Sequence, residues 1–132
     1  MTLRRNMKNV ISMKINKIFD LQKTGMPFYD SMIKEPECFE EEKKLMFEIK
    51  NITTLEYFEL SAEAHKSTVT REYLMISHNN IKNIKDWIDK GNKLPIPVID
   101  FVTGIQEGRH RAVIADLEGL KSIPVMLIKE VS

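Results

Sequence analysis

Residues 94–101 read Leu-Pro-Ile-Pro-Val-Ile-Asp-Phe, a nearly unbroken apolar run interrupted by two prolines. Pro95 and Pro97 have no amide hydrogen to give to a sheet ladder, so they belong at a strand's entrance, and the strand proper is expected at about 97–102. Thr103-Gly104 supplies a turn. Ile105 and Gln106 restart an extended segment, and a helix follows from Arg109 through Ala112, Val113, Ala115 and Leu117 to Gly119. A strand at 123–128 closes this strand, turn, helix, strand unit. With strands and helices also interleaved upstream, the expected class is α/β (α+β), a small mixed sheet with flanking helices.

Upstream, Leu45, Phe47 and Ile49 alternate with Met46, Glu48 and Lys50 as a strand should, and Asn51 is expected to end it. Thr53 followed by Glu56 is a capping box, in which hydroxyl and carboxylate satisfy orphan amides, and it predicts a helix over about 54–65 with Leu55, Phe58 and Ala62 on one face. Ser77 caps a second helix with Ile81, Ile84 and Ile88 on one stripe, Trp87 beside it and Gly91 as its stop. Nearer the N-terminus, Ile11, Met13 and Ile15 suit a strand, while Ile11, Ile15, Ile18 and Phe19 fit a helical face equally well. Gly25-Met26-Pro27 breaks the chain, 28–34 fits one or two helical turns, and Pro36 suits a helix's first position. The run Glu40-Glu41-Glu42-Lys43-Lys44 reads as a solvated helix face with opposed charges three or four apart.

The 132 residues make one domain, 1–132, with its core at about 45–130 and 1–44 as an N-terminal extension. Twenty Lys plus Arg against nineteen Asp plus Glu leave +1, so no global field favours nucleic acid or an anionic membrane. Cys38 is the one cysteine and makes no intramolecular disulfide, which suits a reduced, cytoplasmic protein. Glu37 and Glu40 flank it and should raise its pKa, making it a poor nucleophile. No stretch has the length of a signal peptide's apolar segment or of a membrane span.

Chemistry concentrates in Gln106-Glu107-Gly108-Arg109-His110-Arg111, where an extended segment turns into a helix. The first amides of a helix lack intrahelical partners and carry the positive end of its dipole, so such a junction suits an anion. Gly108 leaves room for a phosphate to approach those amides, and Arg109, His110 and Arg111 add donors suited to a polyphosphate. Glu107 is placed to act as a general base or to hold magnesium. A solvated turn with Glu107 pairing an arginine explains the same residues without function. The glycines form neither G-x-G-x-x-G nor a Walker loop, and His65, His78 and His110 lack metal-ligand spacing, so no metal ligand set is assigned.

Residues 77–129, with Ile81 to Gly91, Pro95-Ile96-Pro97-Val98-Ile99-Asp100, Glu107-Gly108-Arg109-His110-Arg111-Ala112, Gly119-Leu120 and Ile123-Pro124-Val125, resemble the ParB/sulfiredoxin-like superfamily. The Q-E-G-R-H-R-A box and Thr53-Thr54-Leu55-Glu56-Tyr57-Phe58 are similar to small stand-alone proteins of phages and mobile elements. The resemblance implies nucleotide binding, since members bind and hydrolyse CTP, use ATP or transfer phosphate to free serine. Gly108 and Arg111 match the box directly, with Arg111 on phosphate oxygens, and His110 matches the H-R pair of the sulfiredoxin and kinase forms. Glu107 stands where the kinase branch carries an aspartate. Arg109 replaces the partition proteins' glutamate and the sulfiredoxins' catalytic cysteine, so neither reaction carries over intact. Asn80 and Asn83 lie where sulfiredoxins place polar nucleotide contacts.

The expected site is therefore Glu107 and His110 as catalytic groups, with Gly108, Arg109, Arg111, Asn80 and Asn83 binding the nucleotide and its phosphates. The expected cofactor is magnesium with a nucleoside triphosphate, which is hydrolysed or gives up a phosphoryl group. Two alternatives stand beside it: a non-enzymatic anti-defence or regulatory module contacting DNA or a host protein, and a ParB-like nuclease. No membrane partner is expected, and a homodimer stays open. The helix-turn-helix region that follows this domain in partition proteins has no counterpart before Ser132, so sequence-specific centromere binding is not expected.

Overall fold

The computed structural model describes Ile15 and residues 17–131. Ile11 and Met13, on which the two readings of the N-terminal segment turn, lie outside the described residues. Of the remainder, Ile15, Lys17 and Ile18 are helical and Phe19 enters a strand. The elements in chain order are β1 (Phe19–Asp20), α1 (Pro27–Lys34), α2 (Pro36–Glu42), β2 (Leu45–Ile52), α3 (Thr54–His65) and α4 (Val69–Leu74). There follow α5 (His78–Asp89), β3 (Leu94–Pro95), β4 (Val98–Asp100), β5 (Gln106–Glu107), α6 (Arg109–Leu117) and β6 (Ile123–Glu130).

Four strands form a mixed sheet in the order β2, β6, β4, β5, and β1 pairs parallel with β3 in a separate two-stranded ribbon. β6 runs antiparallel to β2 and parallel to β4, the return between the parallel strands being made through β5 and α6. The architecture is the expected mixed α/β one. Because β6 is flanked on both edges and covered on both faces, Ile123, Val125, Met126, Leu127 and Ile128 are all buried and the strand reads as a continuous apolar run rather than an alternating one. Pro124 is tolerated there because β4 pairs with β6 only from Met126 onward, so the missing amide hydrogen falls beyond the end of the neighbouring strand.

Local signals account for most of the helices. Thr53 accepts from the Glu56 amide while Glu56 Oε1 accepts from the Thr53 amide, completing the capping box at the start of α3. Ser77 caps α5 by accepting from the Asn80 amide, and Ile81, Ile84 and Ile88 pack half-buried on the core. Pro27 and Pro36 open α1 and α2 at positions where the lost amide hydrogen has no partner in any case.

Several expectations need correcting. β2 continues through Asn51 to Ile52, because the ladder with β6 is unbroken from Leu45 opposite Glu130 to Ile52 opposite Ile123. α2 ends at Glu42, and Lys44 has a left-handed backbone (φ 56°), so the acidic and basic halves of the charge run do not share a helix face. The core starts earlier than residue 45: Ile18, Phe19, Tyr29 and Met32 join it. Helix α4 has no counterpart in the sequence reading, although Thr68 caps it by accepting from the Arg71 amide.

Asp100 ties this early segment to the sheet. It is buried at the end of β4, where Oδ1 accepts from the amides of Val102 and Thr103 and Oδ2 accepts the Tyr29 hydroxyl at 2.7 Å. Burial, then the Asp100 carboxylate, pushes the Tyr29 pKa up to about 12, so the phenol remains a donor at any ordinary pH. Removing it leaves a buried acceptor short of one partner. Tyr29→Phe should lower unfolding free energy by about 1–3 kcal/mol, read from the shift of a urea unfolding midpoint.

Candidate functional site

The box of residues 106–111 spans the end of β5 and the first turn of α6, and the backbone there is set by packing. Gly108 precedes α6 with φ +124°, and a Cβ at that position would lie 2.6 Å from Pro97 Cβ and 2.9 Å from Pro97 Cα. The glycine is therefore required by the close approach of the helix start to the proline before β4, whatever the site holds. No side chain caps α6. Its first-turn amides come from Arg109, His110 and Arg111, the groups on which the anion argument rests.

A cavity of about 370 Å³ opens beside this helix start. Its walls are Asn80, Asn83 and Ile84 of α5, Leu94 and Pro95 of β3, and Glu107, Gly108, His110 and Arg111. All the expected site residues except Arg109 thus border one space, including the two asparagines one turn apart on α5. The volume lies within the range usual for small-molecule pockets.

Arg111 is buried, and its Nη1 donates to the Pro95 carbonyl at 2.9 Å and to the Thr24 carbonyl at 3.5 Å. Nη2 lies 3.6 Å from Glu107 Oε1, whose side chain is more than half exposed at the cavity rim. Burial lowers the Arg111 pKa, opposed by Glu107 and Tyr57, but a guanidinium remains cationic in proteins. Its Nη2 and Nε hydrogens are the donors that the two carbonyls do not use.

His110 departs from the role of a free acid or base. Its Nε2 accepts the Ser77 amide hydrogen at 3.0 Å, which places the imidazole proton on Nδ1. Burial, followed by the charge of Arg109, lowers its pKa, while Glu107 acts in the opposite direction. The ring is a neutral hydrogen-bond donor fixed by the cap region of α5, and it lines the cavity in that form.

Arg109 overturns an expectation outright. Successive residues on a helix diverge by about 100°, and Arg109 points to the other side of α6. There its Nη2 and Nε lie 3.2 and 3.4 Å from Glu72 Oε1. Glu72 is buried on α4 and also accepts the Ser61 hydroxyl at 2.6 Å, with His65 Nδ1 at 3.1 Å. Desolvation raises the Glu72 pKa, but the Ser61 hydrogen bond, the Arg109 charge and the His65 contact outweigh it, leaving a net lowering. Arg109 neutralises this carboxylate and ties α6 to α3 and α4. A buried acid on an unanticipated helix gave no sequence signal for such a partner.

Other polar groups near the box are structural. Tyr57 donates to Gln106 Oε1 in the core, and burial raises its pKa. Cys38 is exposed on α2, where Glu42 first, with Glu35, Glu41 and Glu37, raises its thiol pKa. Among the described residues no group of three or more His, Cys, Asp or Glu is placed to hold a metal ion, and no helix is long and apolar enough to cross a membrane.

Comparison with protein-family models, with curated proteins and with solved structures finds no match to this chain.

The His110 geometry has a pH signature. Its pKa is depressed in the fold relative to an ordinary value near 6.5, so the unfolded state binds the extra proton first. Stability is then complete above about pH 6.5 and declines as the pH falls below it. Urea midpoints across about pH 7.5 to 5 should show this decline in the wild-type chain and a smaller one in His110→Gln, whose amide oxygen can still accept the Ser77 amide.

Proposed function

We propose that the chain is a nucleotide-binding domain of the ParB/sulfiredoxin-like kind, in which the cavity beside the start of α6 receives the phosphates of a nucleoside triphosphate. The observation carrying this reading is convergence: Asn80, Asn83, Gly108, His110 and Arg111, drawn from two helices, border one space of about 370 Å³. The group is rich in donors. Two side-chain amides, the His110 Nδ1 hydrogen and a buried cation meet at an uncapped helix start, an arrangement that favours oxygen-rich anions.

In the proposed reaction phosphate is hydrolysed from, or transferred by, the bound nucleotide. Arg111, His110 and the α6 amides hold charge on the phosphoryl oxygens, as phosphoryl transfer requires positioning and electrostatics more than covalent help. Among the described residues Glu107 is the one carboxylate bordering the cavity, and its exposure leaves it able to accept a proton from an attacking water or hydroxyl. As the alternative to acting as base, Glu107 is the residue that would hold a magnesium ion arriving with the nucleotide, because that ion is commonly bound by one or two carboxylates plus substrate phosphates. Bound there, it would neutralise charge on the phosphates.

A second reading, a binding module without turnover that contacts DNA or a host protein, draws on two observations. His110 Nε2 is committed to the Ser77 amide, and Arg109 serves Glu72 instead of the cavity. Fewer free cationic and acid–base groups then face the space than the box alone implies.

Arg111→Ala is a poor test because that side chain also holds the Pro95 and Thr24 carbonyls. Asn83→Asp, which places a negative charge on the cavity wall, is better. ATP, CTP or GTP with magnesium should raise the wild-type melting temperature, by about 2.7 kcal/mol of stabilisation at 100 times the dissociation constant, and Asn83→Asp should weaken binding about tenfold. Absence of a shift with every nucleotide rejects the reading. Glu107→Gln should retain the shift and lower phosphate release about 100-fold. Binding without release by the wild-type chain favours the second reading, and nicking of plasmid DNA would favour a nuclease.

A further inference from the structure

β2 is an edge strand of eight residues, and among the described residues nothing pairs with its outer side. Long uncovered edges are usually interrupted by a proline, a bulge or a twist, or guarded by charged side chains, because their free amides and carbonyls invite another strand. β2 has no proline or glycine, and its register against β6 runs one-for-one without a bulge. Met46 and Ile49 are exposed along it.

The ladder identifies which backbone groups are free. The Val131 amide donates to the Lys44 carbonyl, so the hydrogen-bonded pairs of β2 with β6 fall at even positions of β2. Met126 and Ile128 bond to the β4 side, which is the same alternation seen from the other edge of β6. Leu45, Phe47, Ile49 and Asn51 therefore direct their amides and carbonyls outward.

The charges select a partner. Glu48 and Lys50 lie on one face of the strand, and neither makes an ion pair among the described residues. If a second β2 were added antiparallel about a two-fold axis at Ile49, Glu48 would face the partner's Lys50, and Lys50 the partner's Glu48. Those positions are non-hydrogen-bonded pairs, where opposing side chains come closest. Shifting the axis to Glu48 or Lys50 opposes like charges at the centre, and shifting it to Phe47 sets Lys50 against Lys44. A shift to Asn51 sets Glu48 against Thr54 and Lys50 against Ile52 with no charge pairing, so the Ile49-centred register is the one that pairs Glu48 with Lys50 across the axis.

We propose that the outer edge of β2 is a self-association surface, joining two copies of this chain into one continuous sheet about a two-fold axis at Ile49. The full chain should sediment as a dimer at about 100 μM, and a monomer at that concentration would overturn the interface. Ile49→Pro removes an amide hydrogen that points away from β6, so it should give a monomer with unchanged far-ultraviolet circular dichroism. A folded dimer of this variant would also overturn the interface. Glu48→Lys should raise the dimer dissociation constant about tenfold, and adding Lys50→Glu should restore it to within about threefold. No effect of the single change, or no recovery in the double variant, would refute the Ile49-centred register.

Discussion

One buried guanidinium joins the parts of this molecule that the chain itself keeps far apart. Arg111 sits on α6, yet its Nη1 donates to the carbonyl of Pro95 in β3 and to that of Thr24, between β1 and α1. The β1 and β3 ribbon is only two residues long on each side and has little to hold it in its own ladder. A charged donor in a low-dielectric setting is a strong partner for carbonyls that would otherwise lack one, and it also fixes the wall of the cavity beside α6. Scaffold and candidate site thus share a side chain. Changing Arg111 alters both at once.

The division of labour among the box residues follows from helix geometry. Three basic side chains in succession look like one cationic cluster when written in a line, but a turn of 3.6 residues sends them to different faces. His110 and Arg111 border the cavity, and Arg109 crosses to the Glu72, Ser61 and His65 group. The glycine ahead of them is accounted for by Pro97, whose ring occupies the space a side chain would need. A short motif can therefore mix groups that face a ligand with groups that hold the fold.

What could be read from the residues was mainly local chemistry. Thr53 with Glu56, Ser77 with the isoleucine stripe, and Pro36 each specify a helix start through an interaction a few residues long, and the structure has those helices where the residues put them. The closing strand and the turn at 103–104 were legible for the same reason. Long-range pairing was not. β1 and β3 are too short for periodicity to register, and the entry of Tyr29 into the core depends on Asp100, 71 residues away. The five-residue switch from β4 to β5 hid how short β4 is, since the apolar run continues past Asp100 into a turn. In the site, the placement of Asn80 and Asn83 opposite the box needed the α5 and α6 packing, and the diversion of Arg109 needed Glu72 to be buried on a helix that no spacing announced.

The pairing of β1 with β3, and the Arg111 contact with Thr24 across 87 positions, also bear on the order of events during biosynthesis. A polypeptide leaves the ribosome from its amino end, so Phe19, Tyr29 and Met32 emerge long before the strands and helix that enclose them. Until β3, β4 and α6 are available this segment lacks its sheet partner and the Arg111 contact, and the loop closed by Arg111 and Thr24 spans 87 positions, about two thirds of the 132 residues. Such a topology ties the completion of the core to the arrival of β3 and α6 and makes the earlier apolar segment the part most in need of protection until then.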